Sequence, residues 1–187
     1  MFVVGIGGSV RTPSRTAALV AAIVHAVATR ADCETTCFEL ASEGRAILGA
    51  LTRTELGERG RGVLAAIEAA DLLVVGTPVY RLSYTGALKH LFDLVDNQVM
   101  AGKVALLAAT AGSPLHGLVT EHALRPLVSY FGILAAPTSV CAVETDFSGA
   151  TIINPTIDAR VARMADEAVR LLGAGAISRV APLANIA

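Results

Sequence analysis

Five short apolar runs alternate along the chain with longer segments of helical character. Runs of this length, rich in Val, Ile, Leu and Ala and bounded by Gly, Pro or charged residues, are typical of strands buried on both faces of a sheet. The second run alternates polar and apolar residues, which favours a strand nearer the sheet edge. Strands are therefore predicted at residues 2–6, 33–40, 72–75, 103–110 and 134–143.

Helices are predicted between these strands. The first is Ala-rich and apolar nearly all round, so we expect it to pack on the sheet and on a neighbouring helix. Pro126 removes a backbone donor inside the fourth and predicts a kink or bulge there, whereas Pro155 suits the first turn of the last helix. The predicted helices span residues 16–30, 61–70, 87–96, 116–131 and 154–172, and residues 41–58 are expected to form a polar loop.

This alternation predicts an α/β fold, because parallel strands need helical crossovers between them. Residues 1–172 are expected to form one three-layer domain, with a five-stranded parallel sheet and helices on both faces. Residues 173–187 are Gly- and Ala-rich and are expected to form a C-terminal tail that is mobile or folds only against a partner. Ligands of such folds bind at the carboxyl ends of the strands, where strand order reverses.

The composition is apolar: 53% of the 187 residues are hydrophobic and 17% are charged, with a mean hydropathy of +0.60. The apolar runs are too short to span a membrane, so we expect the excess apolar surface to be buried between subunits. With a net charge of −1 and 4% aromatic residues, nothing favours nucleic acid or an anionic membrane as a partner. Without a charged leader before its first apolar run, the protein is expected in the cytoplasm.

The titratable and nucleophilic side chains show no catalytic or metal-binding spacing. No Ser/His/acid set, no paired carboxylates and no His/Cys cluster stand out, so neither a hydrolase nor a metal site is predicted. Cys33, Cys37 and Cys141 agree with a reducing compartment. Cys33 and Cys37 are interpreted as small strand residues, since four extended residues separate them by roughly 13 Å, too far for a disulfide.

The turn after the first strand, residues 7–16, is rich in Gly, hydroxyl groups and Arg. Such a turn before a helix N-terminus offers close backbone approach and many donors to a phosphate. It lacks the Lys of a P-loop and the third Gly of a dinucleotide fingerprint, and its hydroxyls suit a terminal phosphate such as that of FMN. The alternative is an ordinary helix cap with solvated arginines. The side chains concerned are Ser9, Arg11, Thr12, Ser14, Arg15 and Thr16.

A second informative stretch, residues 77–89, follows the third strand. A flavin ring needs backbone hydrogen-bonding groups at one edge and an apolar or aromatic wall, which a loop with Pro78, Tyr80 and Tyr84 provides. The alternative is that the two tyrosines only pack in the core. With a phosphate turn after strand one and Gly- or Pro-broken loops after strands three and four, the expected strand order is the flavodoxin-like 2-1-3-4-5.

Together these motifs resemble the NADPH-dependent FMN reductase family. They read G-S-x-R-x-x-S-x-T at residues 8–16 and T-P-V-Y-x-x-S-Y-T-G-A-L-K at residues 77–89. Residues 111–118 and 121–127 resemble the branch of these reductases that accompanies sulfonate- and sulfone-degrading monooxygenases. The resemblance covers roughly residues 2–172, and its combined motifs are more specific than either motif alone.

The resemblance implies a flavin site in which the chemistry is carried by FMN and no side chain is catalytic. The residues implied for the FMN phosphate are Ser9, Arg11, Ser14 and Thr16. Those implied for the border of the isoalloxazine ring are Pro78, Val79, Tyr80 and Ser83. Those implied for the ribityl chain and the ring edge are Thr110, Ala111, Gly112, Ser113 and His116. Two residues depart from the common pattern: Val10 stands where many relatives have Pro, and Thr16 where many have Asn.

The implied activity is hydride transfer from NADPH or NADH to FMN, which then supplies a partner flavin-dependent monooxygenase. One alternative is a reductase that keeps FMN bound and reduces quinones, azo dyes or metal oxyanions. The other is a flavodoxin-type electron carrier, although such carriers are commonly more acidic than this chain.

A homo-oligomer, dimer or tetramer, is also implied, with an interface formed by the helix at 87–96 and the helix containing His122 and Pro126. Because each helix carries more apolar residues than one sheet face can cover, Phe92 and Phe131 are expected at that interface. Some relatives have a π-bulge near His122 at a tetramer interface. The alternative is an ordinary polar helix residue, since π-bulges are rare.

Overall fold

The structure is a computed structural model that describes residues 1–173. The first four strands are β1 (Phe2–Gly7), β2 (Glu34–Glu39), β3 (Leu72–Pro78) and β4 (Val104–Ala111), followed by the short strands β5 (Leu134–Ala135), β6 (Val140–Val143), β7 (Phe147–Ser148) and β8 (Thr151–Ile152). The helices are α1 (Arg15–Ala28), α2 (Leu40–Leu48), α3 (Glu58–Ala69), α4 (Gly86–Leu94), α5 (Arg125–Tyr130) and α6 (Pro155–Gly173). Except for Gly173, the predicted tail lies outside the described residues.

The main sheet is parallel with the order β2-β1-β3-β4-β5, and β6 also pairs with β4. The predicted flavodoxin-like order is confirmed. The register aligns Gly7 with Gly76 and Pro78 with Thr110, so the loops after β1, β3 and β4 leave the sheet at the same edge. Strands β7 and β8 form a separate antiparallel pair before α6.

Alternate residues of the central strands face two separate cores. Leu73 and Val75 of β3 face the core that α2, α3, α4 and α5 cover, whereas Leu72 and Val74 face α1 and α6. Burial on both faces explains why the strand reads as an uninterrupted apolar run. The structure continues β3 to Pro78, although the sequence predicts a break at Gly76.

The polar loop predicted at 41–58 is wrong, because α2 occupies its first half. Leu40, Gly44 and Ile47 are buried on one face of this helix, at helical spacing. Its other face carries the polar residues Ser42, Glu43 and Arg45, which explains why the composition alone suggested a loop. A 3-10 turn at Arg53–Glu55 leads towards α3.

The continuous strand predicted at 134–143 is also wrong. β5 and β6 are separate, and Pro137, which lacks a backbone donor, lies between them. The buried carboxylate of Glu167 on α6 accepts hydrogen bonds of 2.7 Å from both the N–H and the hydroxyl of Thr138. A side chain of α6 therefore holds the chain in place between β5 and β6.

The predicted helix at 116–131 consists of three pieces. A 3-10 turn at Pro114–His116 is followed by a π-helical turn at Thr120–Leu124 and then by α5. The Arg125 N–H donates to the Thr120 carbonyl, a five-residue step. Pro126, in the first turn of α5, has no N–H to continue an α-helical ladder. The expected bulge is therefore confirmed, one turn before the proline.

Phe92 and Phe131 are core residues, and placing them at a subunit interface was wrong. Their side chains are 1% and 6% exposed, and their ring centroids lie 5.7 Å apart. The apolar face of α4 is covered within the chain. Of the neighbouring aromatic residues, Tyr130 is 74% exposed. Within residues 1–173, no helix combines the length and apolar character needed to cross a bilayer.

Candidate flavin site

Three loops meet at the carboxyl edge of the sheet and are joined by hydrogen bonds. The Gly8 N–H donates to the Gly76 carbonyl at 2.7 Å, and the Val79 N–H donates to the Thr110 carbonyl at 2.8 Å. The Thr85 hydroxyl donates to the Gly8 carbonyl at 2.7 Å. The loops after β1, β3 and β4 therefore form one connected surface, as the predicted strand order requires.

The first loop brings backbone and hydroxyl donors to the start of α1. Ser14 caps this helix, and its hydroxyl oxygen accepts from the Ala17 N–H at 3.1 Å. The buried Ser9 hydroxyl oxygen accepts from the Arg11 N–H at 3.2 Å. Arg15 and Thr16 lie in the first turn of α1, where N–H groups have no intrahelical acceptor. This end of the loop has the donors that an anion needs.

Gly8 lies where a side chain would disturb the site. A Cβ on this residue would lie 2.9 Å from the Gly76 carbonyl oxygen, closer than real contacts allow. The backbone at Gly8 therefore packs directly against the end of β3, which fixes the start of the loop after β1.

The structure brings together two predicted site residues from different loops. The hydroxyl oxygens of Thr16 and Thr110 lie 2.6 Å apart, and Thr16 is buried. This contact ties the first turn of α1 to the end of β4. Thr16 therefore contributes to the shape of the site as well as to its donors.

The loop after β3 contains a tight turn in an unusual backbone conformation. Tyr80 and Ser83 exchange both backbone hydrogen bonds, at 2.9 and 3.0 Å. Arg81 and Leu82 between them have φ angles of 52° and 62°, a region that side chains other than Gly, Asn or Asp rarely adopt. Strained residues of this kind cluster at ligand-binding sites.

The same turn faces the first loop. The Arg11 guanidinium carbon lies 5.9 Å from the centroid of the Tyr80 ring, within reach of a cation–π interaction. Behind the turn, the buried Thr77 hydroxyl accepts from the Thr85 N–H at 3.2 Å and donates to the Pro78 carbonyl at 3.0 Å. Thr85 then caps α4.

The loop after β4 presents both polar and apolar groups. Ser113 caps the 3-10 turn that ends at His116, and the His116 side chain is half-buried. Leu115 and Leu118 are 88% and 62% exposed. Together with the exposed Val10 and Leu82, they supply apolar surface around the convergent loops.

The π-helical turn below this loop is fixed by an ion pair. Arg125 donates to Glu121 at 2.5 and 3.0 Å and also reaches the carbonyls of Ala135 and Ala136. The hydrogen bond from Arg125 lowers the pKa of Glu121, against burial, which raises it. The exposed His122 side chain takes no part in this network.

Arg15 makes an ion pair with Glu144, which follows β6. The contact brings a carboxylate from a fourth loop to the start of α1. Sequence reasoning missed Glu144 because the pair spans 129 positions. It also missed Thr85 and Thr77 as organising residues, although Thr85 precedes Gly86 in the motif and helix caps favour Thr.

A groove at the opposite edge of the sheet is poorly suited to a flavin phosphate. The groove, of about 440 Å³, is lined by Met1, Phe2, Asp32, Cys33, Glu34 and Asp71. Its three carboxylates would repel an anion. Across the described part of the chain, no three His, Cys, Asp or Glu side chains come together in a way that could hold a metal ion.

Comparison with known families and proteins points to one activity. Residues 1–148 match the family model described as NADPH-dependent FMN reductase. The chain is 41% identical over 185 residues to the NADH-dependent FMN reductase SfnF of Pseudomonas fluorescens (strain Pf0-1), covering 99% of this chain and 97% of that protein. It is 39% identical over 171 residues to an FMN reductase (NADPH) of Pseudomonas aeruginosa, covering 91% and 92%.

A solved structure agrees with these sequence matches. An oxidoreductase from Corynebacterium diphtheriae superposes with a TM-score of 0.80 at 33% identity, over 92% of this chain and 97% of that one.

Proposed function

The chain belongs to the NADPH-dependent FMN reductase family, and we propose that it releases reduced FMN to a partner flavin-dependent monooxygenase. It is an NAD(P)H:FMN oxidoreductase, with FMN and NADPH or NADH as its cofactors. The observation that supports a flavin site at the carboxyl edge of the sheet is the joining of the three predicted loops by the bonds of Gly8, Val79 and Thr85.

The phosphate end of FMN would lie at the first loop. The Ser14 hydroxyl and the first-turn N–H groups of α1 offer donors, and Arg11 offers a positive charge. The Ser9 hydroxyl donates to the Arg11 carbonyl at 3.3 Å and would turn from it towards the phosphate. The Thr16 hydroxyl already pairs with Thr110, so its contribution is shared with the wall of the site. This donor set fits a phosphate monoester better than a triphosphate, which would need a metal and a lysine.

The isoalloxazine ring would lie against the loop after β3. Pro78, Val79, Tyr80 and Ser83 would border it, and the Tyr80–Ser83 bonds hold that border in one conformation. The exposed Leu82 would shield one ring edge from water. A rigid wall orients two stacked rings without any side chain acting as acid or base.

The ribityl chain would run between the other two loops. Thr110, Ala111, Gly112 and Ser113 would edge it, with His116 towards the ring. When bound, FMN supplies the hydride acceptor and the nicotinamide nucleotide supplies the hydride. The chain's own part would be to bind, align and shield both molecules.

The supply of reduced FMN to a monooxygenase rests on the resemblance of residues 111–118 and 121–127 to the sulfonate and sulfone branch. An anaerobic dialysis experiment tests it. Enzyme, NADH or NADPH and FMN are placed on one side of a membrane, and cytochrome c on the other. Diffusible reduced FMN predicts reduction of cytochrome c in the far compartment. Reduction of flavin in the enzyme compartment with no reduction of cytochrome c would favour the alternative, a reductase that keeps its flavin.

We also propose that the protein assembles into a homo-oligomer in the cytoplasm. Because Phe92 and Phe131 are buried within the chain, the apolar residues left for a partner copy include Leu115, Leu118 and Tyr130. A partner that covered Leu115 and Leu118 would also close one side of the flavin site. Light scattering tests the assembly, and a monomer with full FMN reductase activity would contradict it.

A further inference from the structure

Glu144 neutralises a positive charge at the turn proposed to hold the flavin phosphate. Arg15 is the first residue of α1, directly after the cap Ser14, and its guanidinium binds the Glu144 carboxylate. Arg11, the other cation of this turn, has no carboxylate partner in the described part of the chain and instead lies over Tyr80. Of the two arginines, Arg15 is therefore the one whose charge is already compensated.

The position of Glu144 is fixed by its neighbours. It begins a 3-10 turn, Glu144–Asp146, at the end of β6. The buried Asp146 carboxylate accepts from the Val143 N–H at 2.7 Å and from the Asn154 side-chain amide at 2.6 Å. These bonds hold the backbone on both sides of Glu144, so its carboxylate is presented towards α1 by an ordered segment rather than by a loose loop.

The ion pair itself is open to exchange. The Arg15 and Glu144 side chains are 45% and 74% exposed, and solvent-exposed pairs are weak. A phosphate carries more charge and more acceptor oxygens than one carboxylate, so it can draw Arg15 away from Glu144. FMN would then either displace Glu144 from Arg15 or bind to a turn whose positive charge Glu144 has lowered.

We propose that Glu144 weakens FMN binding by competing with the flavin phosphate for Arg15, and so keeps FMN exchangeable. This inference rests on the proposed function, in which reduced FMN leaves the enzyme. It assigns Glu144 a positioning role that acts through Arg15, and it makes FMN residence time depend on one carboxylate of the loop after β6.

Replacing the carboxylate tests the proposal by a gain of affinity. Dissociation constants for FMN and riboflavin are measured by flavin fluorescence with the wild type, Glu144→Gln and Glu144→Ala. Both variants should bind FMN roughly 1.5- to fivefold more tightly, the size expected for one exposed ion pair, with slower FMN dissociation in stopped flow. Riboflavin, which has no phosphate, should bind all three proteins equally.

Two further variants separate the pair from net charge. Glu34→Gln removes an equal charge at the amino edge of the sheet, where Glu34 begins β2, and should leave FMN binding unchanged. Arg15→Ala should weaken FMN binding and abolish the gain from Glu144→Gln when the two are combined. Unchanged or weaker FMN binding in Glu144→Gln, or a gain that persists without Arg15, would overturn the proposal. A wild type that reduces FMN but keeps it bound would instead overturn the proposed release.

Discussion

The side-chain oxygens of Thr16 and Thr110 lie 2.6 Å apart, although 94 positions separate the two residues. This bond joins the first turn of α1 to the end of β4, and so joins the phosphate end of the proposed site to its ribityl wall. Thr16→Val keeps the shape of the side chain but leaves the Thr110 hydroxyl without this partner. We expect FMN affinity to fall about fivefold, or about 1 kcal/mol.

The double variant Thr16→Val, Thr110→Val checks that this loss comes from the bond. Removing both hydroxyls should cost less than the sum of the two single losses, because the bond can be lost only once. Isothermal titration with FMN measures all four proteins. Strictly additive losses would mean that each hydroxyl acts independently on the flavin.

Arg11 is expected to bind the FMN phosphate. Arg11→Ala should weaken FMN binding by about 1.5–3 kcal/mol if it removes a charge-assisted contact. Riboflavin should bind the variant and the wild type alike. Arg170→Ala, on the last turn of α6, removes an equal charge elsewhere and serves as the control. An equal loss for riboflavin would mean that the fold, and not a phosphate contact, had been damaged.

The backbone of the Tyr80–Ser83 turn gives a prediction in which stability and function move in opposite directions. Leu82→Gly should raise the free energy of unfolding by about 1 kcal/mol, because Gly adopts a φ of 62° without strain. The same change should lower kcat/KM for FMN reduction, since it removes the apolar side chain proposed to shield the flavin ring. Urea unfolding and steady-state kinetics provide the two measurements.

Leu51→Gly is the matched control for this turn. Leu51 is also exposed but does not have a positive φ, so its replacement should not raise stability. A Leu82→Gly protein that is less stable than the wild type would refute the assignment of strain. One that is more stable and fully active would separate the strain from flavin binding.

Most of the fold could be predicted from the apolar runs, because strands buried on both faces must be continuously apolar. The prediction was wrong where contacts with residues distant in the sequence determine the local structure. Leu40 and Ile47 of α2 pack into the same core as the sheet residues Leu73 and Val75. Phe92 and Phe131 belong to that core too, and their rings contact each other. The convergence of the three loops could be predicted from the strand order. The contact of Glu144 with Arg15 could not, because no local sequence feature marks a residue at the end of β6 that reaches α1.

The pH dependence of stability should include Glu121. Its pKa is lowered by the hydrogen bond from Arg125, so it stabilises the fold above its unfolded pKa and this contribution is lost as the pH falls towards the folded pKa. Because the pair is partly exposed, we expect a loss of at most about 1 kcal/mol. Urea unfolding between about pH 6 and pH 3 measures it.

Glu121→Gln should remove this part of the pH dependence. Glu58→Gln, at the start of α3, changes the net charge by the same amount and serves as its control. If the Glu121→Gln protein lost stability on acidification as steeply as the wild type, the ion pair below the β4 loop would not contribute to the folded state.

The most direct test of FMN as an exchangeable substrate is activity after gel filtration. The protein is passed through the column without added flavin, and oxidation of NADH and of NADPH is then followed as free FMN is added. We expect little activity without FMN and a saturable rise as it is added. Flavin that co-elutes with the protein and supports full turnover without addition, or no oxidation of either nucleotide, would contradict this expectation.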